Sequence, residues 1–73
     1  MTKRLNNTLK VHRAMHNFTQ AEVAARIGVT RKSINAIETG RFVPSTELAL
    51  KLAKLFDVQV EDLFSLPEEQ TAG

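Results

Sequence analysis

The chain contains no cysteine, which removes disulfides and thiolate metal sites from the means available to brace it. No apolar run approaches the ~20 residues that a bilayer span requires, and the opening MTKRLNNTLK lacks the apolar core of a secretory signal, so a cytoplasmic location is expected. Glycine occurs only three times and never as a phosphate-cradling loop. His, Asp and Ser nowhere cluster as an acid–base or nucleophilic constellation, and a bundle this small has no room for a sizeable pocket. Catalysis is therefore not expected. Internal repeats and low-complexity segments are absent too.

What remains is a 73-residue chain with 42% apolar and 25% charged residues, the balance of one globular domain. A domain of this length buries only roughly 60% of the surface its unfolded chain exposes. Helix packing, completed by a second subunit, is left as the source of stability. The net charge of +2 is unevenly spread. Residues 1–41 carry eight basic side chains (Lys3, Arg4, Lys10, Arg13, Arg26, Arg31, Lys32, Arg41) against Glu22 and Glu38, a balance of +6. Residues 42–73 carry Lys51 and Lys54 against six acids, a balance of −4. A basic half beside an acidic one suits a protein whose first half faces a polyanion.

Punctuation residues divide the chain into five short helices. Leu5, Leu9 and His12, with Val11 and Met15 beside them, mark a first helix opening near Asn6 or Asn7 and stopping around His16-Asn17. Thr19-Gln20-Ala21-Glu22 is a capping box, in which hydroxyl and carboxylate each satisfy the other residue's amide. The second helix runs from there to Arg26 or Ile27, with Val23, Ala24 and Ile27 inward. Gly28 stands where a helix end needs positive φ. Thr30 caps a third helix from Arg31 to about Thr39, which Gly40 closes. Pro44 and Ser45 open a fourth, Thr46 to Phe56, with Leu48, Leu52, Leu55 and Phe56 on its apolar side. After a break at Asp57-Val58-Gln59 a short last helix holds Leu63 and Phe64. No strand is evident within the chain, although its ends can add a short one on dimerisation. The expected domain covers residues 1–66, and 67–73 form a frayed, flexible tail.

Residues 20–39, QAEVAARIGVTRKSINAIET, carry the most information. Two helices of about eight residues, separated by a turn of three or four, must cross steeply, which is the helix-turn-helix unit. Ala24 is small at the close approach, Ile27 and Val29 flank the turn, and Ile34 and Ile37 form the inward stripe of the second helix. Opposite that stripe lie Lys32, Asn35, Ala36 and Thr39, with Arg31 and Ser33 on the flanks. This face holds no acid. Arg and Lys donate to guanine O6 and N7, Asn pairs with adenine N6 and N7, and Ala and Thr touch a thymine methyl. An α-helix fits the major groove of B-DNA, with its N-terminal residues nearest the base edges.

The segment TQAEVAARIGVTRKSINAIETGRFVPS, followed by LALKLAK, resembles the Xre-type Cro/repressor family, especially its short single-domain members. The likeness covers about residues 6–66. It implies an all-α, five-helix, lambda-repressor-like fold, bound to double-stranded DNA as a homodimer. Carried over by position, it implies base contacts from Arg31, Lys32, Asn35, Ala36 and Thr39 in the recognition helix. Phosphate contacts are implied for Thr19, Gln20, Thr30, Ser33 and Arg41, with Gln20 also bracing the recognition helix. Arg13 and Glu38 match a partly buried ion pair, which makes Arg13 structural. Two departures stand out. His12 occupies a position that is usually Leu or Ile, and Asp57 replaces a common glycine, which Asp tolerates because it visits the left-handed region.

His12 and His16 share one helix face at metal-binding spacing, but no third ligand is evident, so a packed His12 and a solvated His16 are expected, with no metal or other cofactor. Val58, Val60, Leu63, Phe64 and Leu66 are more apolar groups than so small a core needs and are assigned to the dimer contact. A transcriptional repressor reading a palindrome is the function this pattern implies. An antitoxin-like or coactivator-like protein-interaction module on the same fold is the alternative.

Overall fold

The computed structural model describes residues 5–67, so Lys3, Arg4 and the expected tail beyond Pro67 lie outside the described residues. The chain runs β1 (Asn6–Asn7), α1 (Leu9–Met15), α2 (Gln20–Ile27), α3 (Arg31–Glu38), α4 (Thr46–Phe56), α5 (Val60–Leu63) and β2 (Phe64–Ser65). Local capping chemistry sets most of these boundaries. Glu22 N–H donates to Thr19 Oγ1 (3.0 Å), and Thr19 N–H donates to Glu22 Oε1 (2.7 Å). Thr30 Oγ1 accepts from Ser33 N–H, and Ser45 Oγ from Leu48 N–H, each at 3.1 Å. Gly28 ends α2 at φ +82°, a left-handed conformation that costs an L-residue roughly 1–2 kcal/mol. Asp57 ends α4 in the same region (φ 57°, ψ 48°), standing in for a glycine as expected. At α5, the Gln59 N–H donates to Asp62 Oδ2 (2.9 Å).

The core is a single cluster. Leu9 of α1, Val23, Ala24 and Ile27 of α2, Ile34 and Ile37 of α3, and Leu52, Ala53 and Phe56 of α4 are buried together with Leu63 and Phe64. Val29, Leu48 and Leu55 pack half-buried against it. Each helix contributes one stripe, so burial of the stripes leaves each opposite face outward. His12 is half-buried, its ring near Phe56 (centroids 6.1 Å apart) and its Nδ1 3.1 Å from Thr8 O. His16, exposed, still lays its ring against Phe18 and Phe56 (5.8 and 5.2 Å). Val11 and Met15, placed beside the first apolar stripe by the sequence pattern, face solvent.

Two expectations need correcting. The fold is not all-α: β1 and β2 pair antiparallel within one chain, Asn6 opposite Ser65 and Asn7 opposite Phe64. Asn6 and Asn7 are therefore extended rather than the first turn of α1. The reason is that the Asn7 side chain has better work outside the helix. Its Oδ1 accepts from Leu9 N–H (3.2 Å) and its Nδ2 donates to Ile37 O at the end of α3 (3.0 Å). Thr8 donates to the other end of the chain, N–H to Leu63 O (2.8 Å) and Oγ1 to Asp62 O (2.7 Å). The second correction concerns the expected dimer contact. Leu63 (1% exposed) and Phe64 (8%) belong to this chain's own core, into which the pairing of β1 with β2 draws them. Val58 and Val60 are half-buried against that core, and only Leu66 (79%) is freely exposed.

Asn7 thus joins three elements. Asn7→Ala should destabilise the domain by about 1–2 kcal/mol through loss of its two side-chain hydrogen bonds, to Leu9 N–H and Ile37 O. In a domain of this size that lowers Tm by several degrees, which a thermal melt will register.

Candidate nucleic-acid interface

Helices α2 and α3 make the most extensive contact in the fold. The turn between them is short: Gly28 N–H and Val29 N–H both return to Ala24 O at 2.9 Å, and Thr30 already caps α3. Ala24 is buried at this approach, where a larger side chain would push the helices apart. Ile34 and Ile37, at 0% and 1% exposure, anchor the inner side of α3. Rotation by 100° per residue then leaves Arg31, Lys32 and Thr39 exposed, with Ser33, Asn35 and Ala36 half-buried.

The one acid of α3, Glu38, is turned inward. Its side chain is 5% exposed and meets Arg13 of α1, 17% exposed, in a two-pronged ion pair. Arg13 Nε donates to Glu38 Oε2 (2.7 Å) and Nη2 to Oε1 (3.3 Å), while Nη1 donates to Phe18 O (3.0 Å). Arg13 is thereby the structural residue that the resemblance implies. Gln20, the first residue of α2, continues the network. Its Nε2 donates to Glu38 Oε1 (3.0 Å) and to Asn35 Oδ1 (3.2 Å), and its Oε1 accepts from Arg31 Nη1 (3.2 Å). Gln20 braces α3 as expected. What sequence reasoning missed is that one amide ties Arg31, Asn35 and Glu38 together. Only their meeting in space, at separations of 11 to 18 residues, reveals it.

Lys32 and Arg41 are exposed, and their side chains bond to no other described residue. Arg41 is held just past α3 through its backbone, since Arg41 N–H and Phe42 N–H both donate to Ala36 O (2.9 and 3.2 Å). Thr39 spends its hydroxyl proton on the Asn35 and Ala36 carbonyls (2.9 and 3.3 Å), leaving its methyl as the group free for an apolar contact. The Thr30 and Ser33 hydroxyls share a bond at 3.1 Å at the start of α3. Thr19 has its N–H taken by Glu22, so only the hydroxyl proton is available to an anion. Arg26, counted with the basic half, lies over the Phe18 ring at 4.6 Å, a cation–π contact. The outer side of α3 thus combines exposed cations, amides and hydroxyls, with the one acid of the helix turned inward.

A family model described as helix-turn-helix matches residues 9–63. An uncharacterised HTH-type transcriptional regulator of Methanocaldococcus jannaschii is 46% identical over 66 residues, covering 90% of this chain and all of the relative. One from Bacillus subtilis is 43% identical over 65 residues, covering 89% of this chain and 98% of its own. Among solved structures, the restriction-modification controller protein C.AhdI of Aeromonas hydrophila superposes with a TM-score of 0.69 at 26% identity, over 74% of this chain and 78% of that one.

Removing one partner of the inward ion pair strands the other. Arg13→Met should destabilise the domain by about 3 kcal/mol or more in urea denaturation, much more than Lys32→Met on the exposed face, which should change stability by less than about 0.5 kcal/mol.

Proposed function

This chain belongs to the helix-turn-helix family of DNA-binding transcriptional regulators, and from that premise we propose that it is a homodimeric repressor that reads a palindromic operator in duplex DNA with α3. The observation that carries the proposal is the acid-free outer side of α3: Ile34 and Ile37 hold it outward while Glu38 is turned away and neutralised. Arg31, Lys32, Asn35, Ala36 and Thr39 then meet base edges in the major groove. Thr19, Gln20, Thr30, Ser33 and Arg41 flank them and meet phosphates, which favour the N-terminal ends of α2 and α3. Gln20 Oε1 is already engaged by Arg31 and its Nε2 by Glu38 and Asn35, so its part at the phosphates is secondary to its bracing. A cytoplasmic location accompanies duplex DNA as the target.

The dimer contact is reassigned, because Leu63 and Phe64 are spent inside the core. Phe42 (47% exposed), Val43 (63%), Leu50 (56%) and Leu66 are the apolar groups left at the surface on the α4 side. Phe42 and Val43 line a small cleft with Leu5, Pro44 and Phe64, and Leu50 lines an adjoining one with Leu5, Pro44, Ala49, Val60 and Phe64. An exposed apolar patch on so small a domain is a surface to be covered, and an isologous contact between two copies covers it twice. Two recognition helices about 34 Å apart then face successive major grooves of a two-fold site.

Four measurements test this reading. Selection from random duplexes should return a symmetric site, and binding should weaken by ~10³-fold or more between 50 and 200 mM salt if a dimer neutralises about six phosphates or more. Arg31→Ala should relax selection at one base pair per half-site by ~1–3 kcal/mol, whereas Arg41→Ala should weaken binding to every duplex alike. Sedimentation should show a dimer that Leu50→Lys converts to a monomer. A monomeric wild type at high concentration, with and without duplex, would refute the two-fold arrangement.

A further inference from the structure

The bonds that converge on Gln20 have a direction. Arg13 is donor-only and a carboxylate is acceptor-only, so the group that Gln20 turns toward Glu38 must be its NH2. An amide orientation is ordinarily ambiguous at the level of heavy atoms, but here the chemistry of its neighbours decides it. With Nε2 directed at Glu38 and Asn35, Gln20 Oε1 faces Arg31, another donor-only group. Asn35 must then meet the Gln20 NH2 with its own oxygen, as observed, and its Nδ2 is left for the groove.

We propose that Glu38, acting through Gln20, is a positioning residue for base selection: it fixes which end of the Asn35 amide is offered to the DNA and holds one prong of Arg31. The inference rests on the duplex-reading role assigned to α3 above and deepens it. Its consequence is specific. A base edge opposite Asn35 has to supply an acceptor, such as purine N7, guanine O6 or thymine O4. Adenine remains acceptable in the bidentate mode, because Asn35 Oδ1 keeps a second lone pair beside the bond from Gln20. Cytosine offers only its N4 amino donor in the major groove, which the second Oδ1 lone pair can take but which leaves Nδ2 without an acceptor, so cytosine is disfavoured. A partly buried ion pair 25 residues apart in sequence thereby sets a preference at a base that neither of its members touches.

Glu38→Gln tests this, because a carboxamide can face Gln20 with either end and releases the polarity of the chain. Gln20→Met tests it independently, since it removes the link while the Arg13–Glu38 bonds remain. Each full-length protein, its folding checked by thermal melt, is assayed against the selected duplex carrying each of the four base pairs at the position that Asn35→Ala shows to be read by Asn35. Wild type should disfavour cytosine there by roughly tenfold or more. Both variants should lose most of that exclusion while the preference at positions read by Lys32 stays near the wild-type value. Glu38→Gln should also bind random duplex near the wild-type level, whereas Gln20→Met, which removes a phosphate contact as well, should weaken every duplex by a further common factor. Uniform weakening across all duplexes, with cytosine still excluded, would overturn the proposal and leave Glu38 a purely structural residue. Should Glu38→Gln not fold, Gln20→Met decides alone. A wild type with no preferred duplex would instead refute the operator reading. The polarity is then judged on the free protein, where Glu38→Gln should move the Gln20 and Asn35 side-chain amide resonances together, and an unchanged Asn35 amide would overturn it.

Discussion

Glu38 lies on the very helix whose outer side is proposed to approach a polyanion. A carboxylate there faces two unfavourable choices: to point outward and repel phosphates, or to turn inward and lose its hydration. The fold takes the second and offsets it with Arg13, at 2.7 Å, and the Gln20 amide, at 3.0 Å. Because a buried charge tolerates no vacancy among its partners, this requirement fixes the distance between α1 and α3 and the rotation of α3 about its own axis. It also determines where the first side chain of α2 must sit. A constraint that begins as desolvation ends as the placement of Arg31 and Asn35.

The turn between α2 and α3 supplies the complementary constraint. Gly28 at positive φ, Ala24 at the close approach and Thr30 as the immediate next cap leave too few residues for the helices to run antiparallel. Burial of Ile34 and Ile37 then chooses which side of α3 looks out. Local geometry therefore presents the helix, and the buried network orients its polar groups. The clasp between β1 and β2 closes the far side, as Asn7 reaches Ile37 O and Thr8 reaches Asp62 O and Leu63 O. In a domain without disulfides, these polar bonds between segments far apart in the chain do part of what a covalent staple would do, and they do it with backbone carbonyls at the ends of α3 and α5.

Much of this was legible from the residues. The capping box at Thr19 and Glu22, the caps at Thr30 and Ser45, the left-handed Gly28 and Asp57, and the inward stripes of α2, α3 and α4 are all local rules, and the structure follows them. Where the reading failed, a distant partner had outbid a local preference. Asn6 and Asn7 resemble a helix start, yet an interstrand pairing 57 to 59 residues away claims them. Leu63 and Phe64 seemed surplus to a small core, yet the same pairing draws them into it and leaves Phe42, Val43 and Leu50 outside instead. Counting apolar residues says how many must be covered, and does not say which.

The amino-acid pattern by itself determined the helices, their caps, the steep α2–α3 turn and the acid-free side of α3, because each arises from groups within a few residues of one another. Only the tertiary structure decided that Gln20 sits between Glu38, Asn35 and Arg31, that the chain ends form a ladder, and which apolar side chains stay at the surface. Those outcomes depend on satisfying buried polar groups and filling one shared core from segments far apart in the chain. No local rule specifies the partner that wins such a competition.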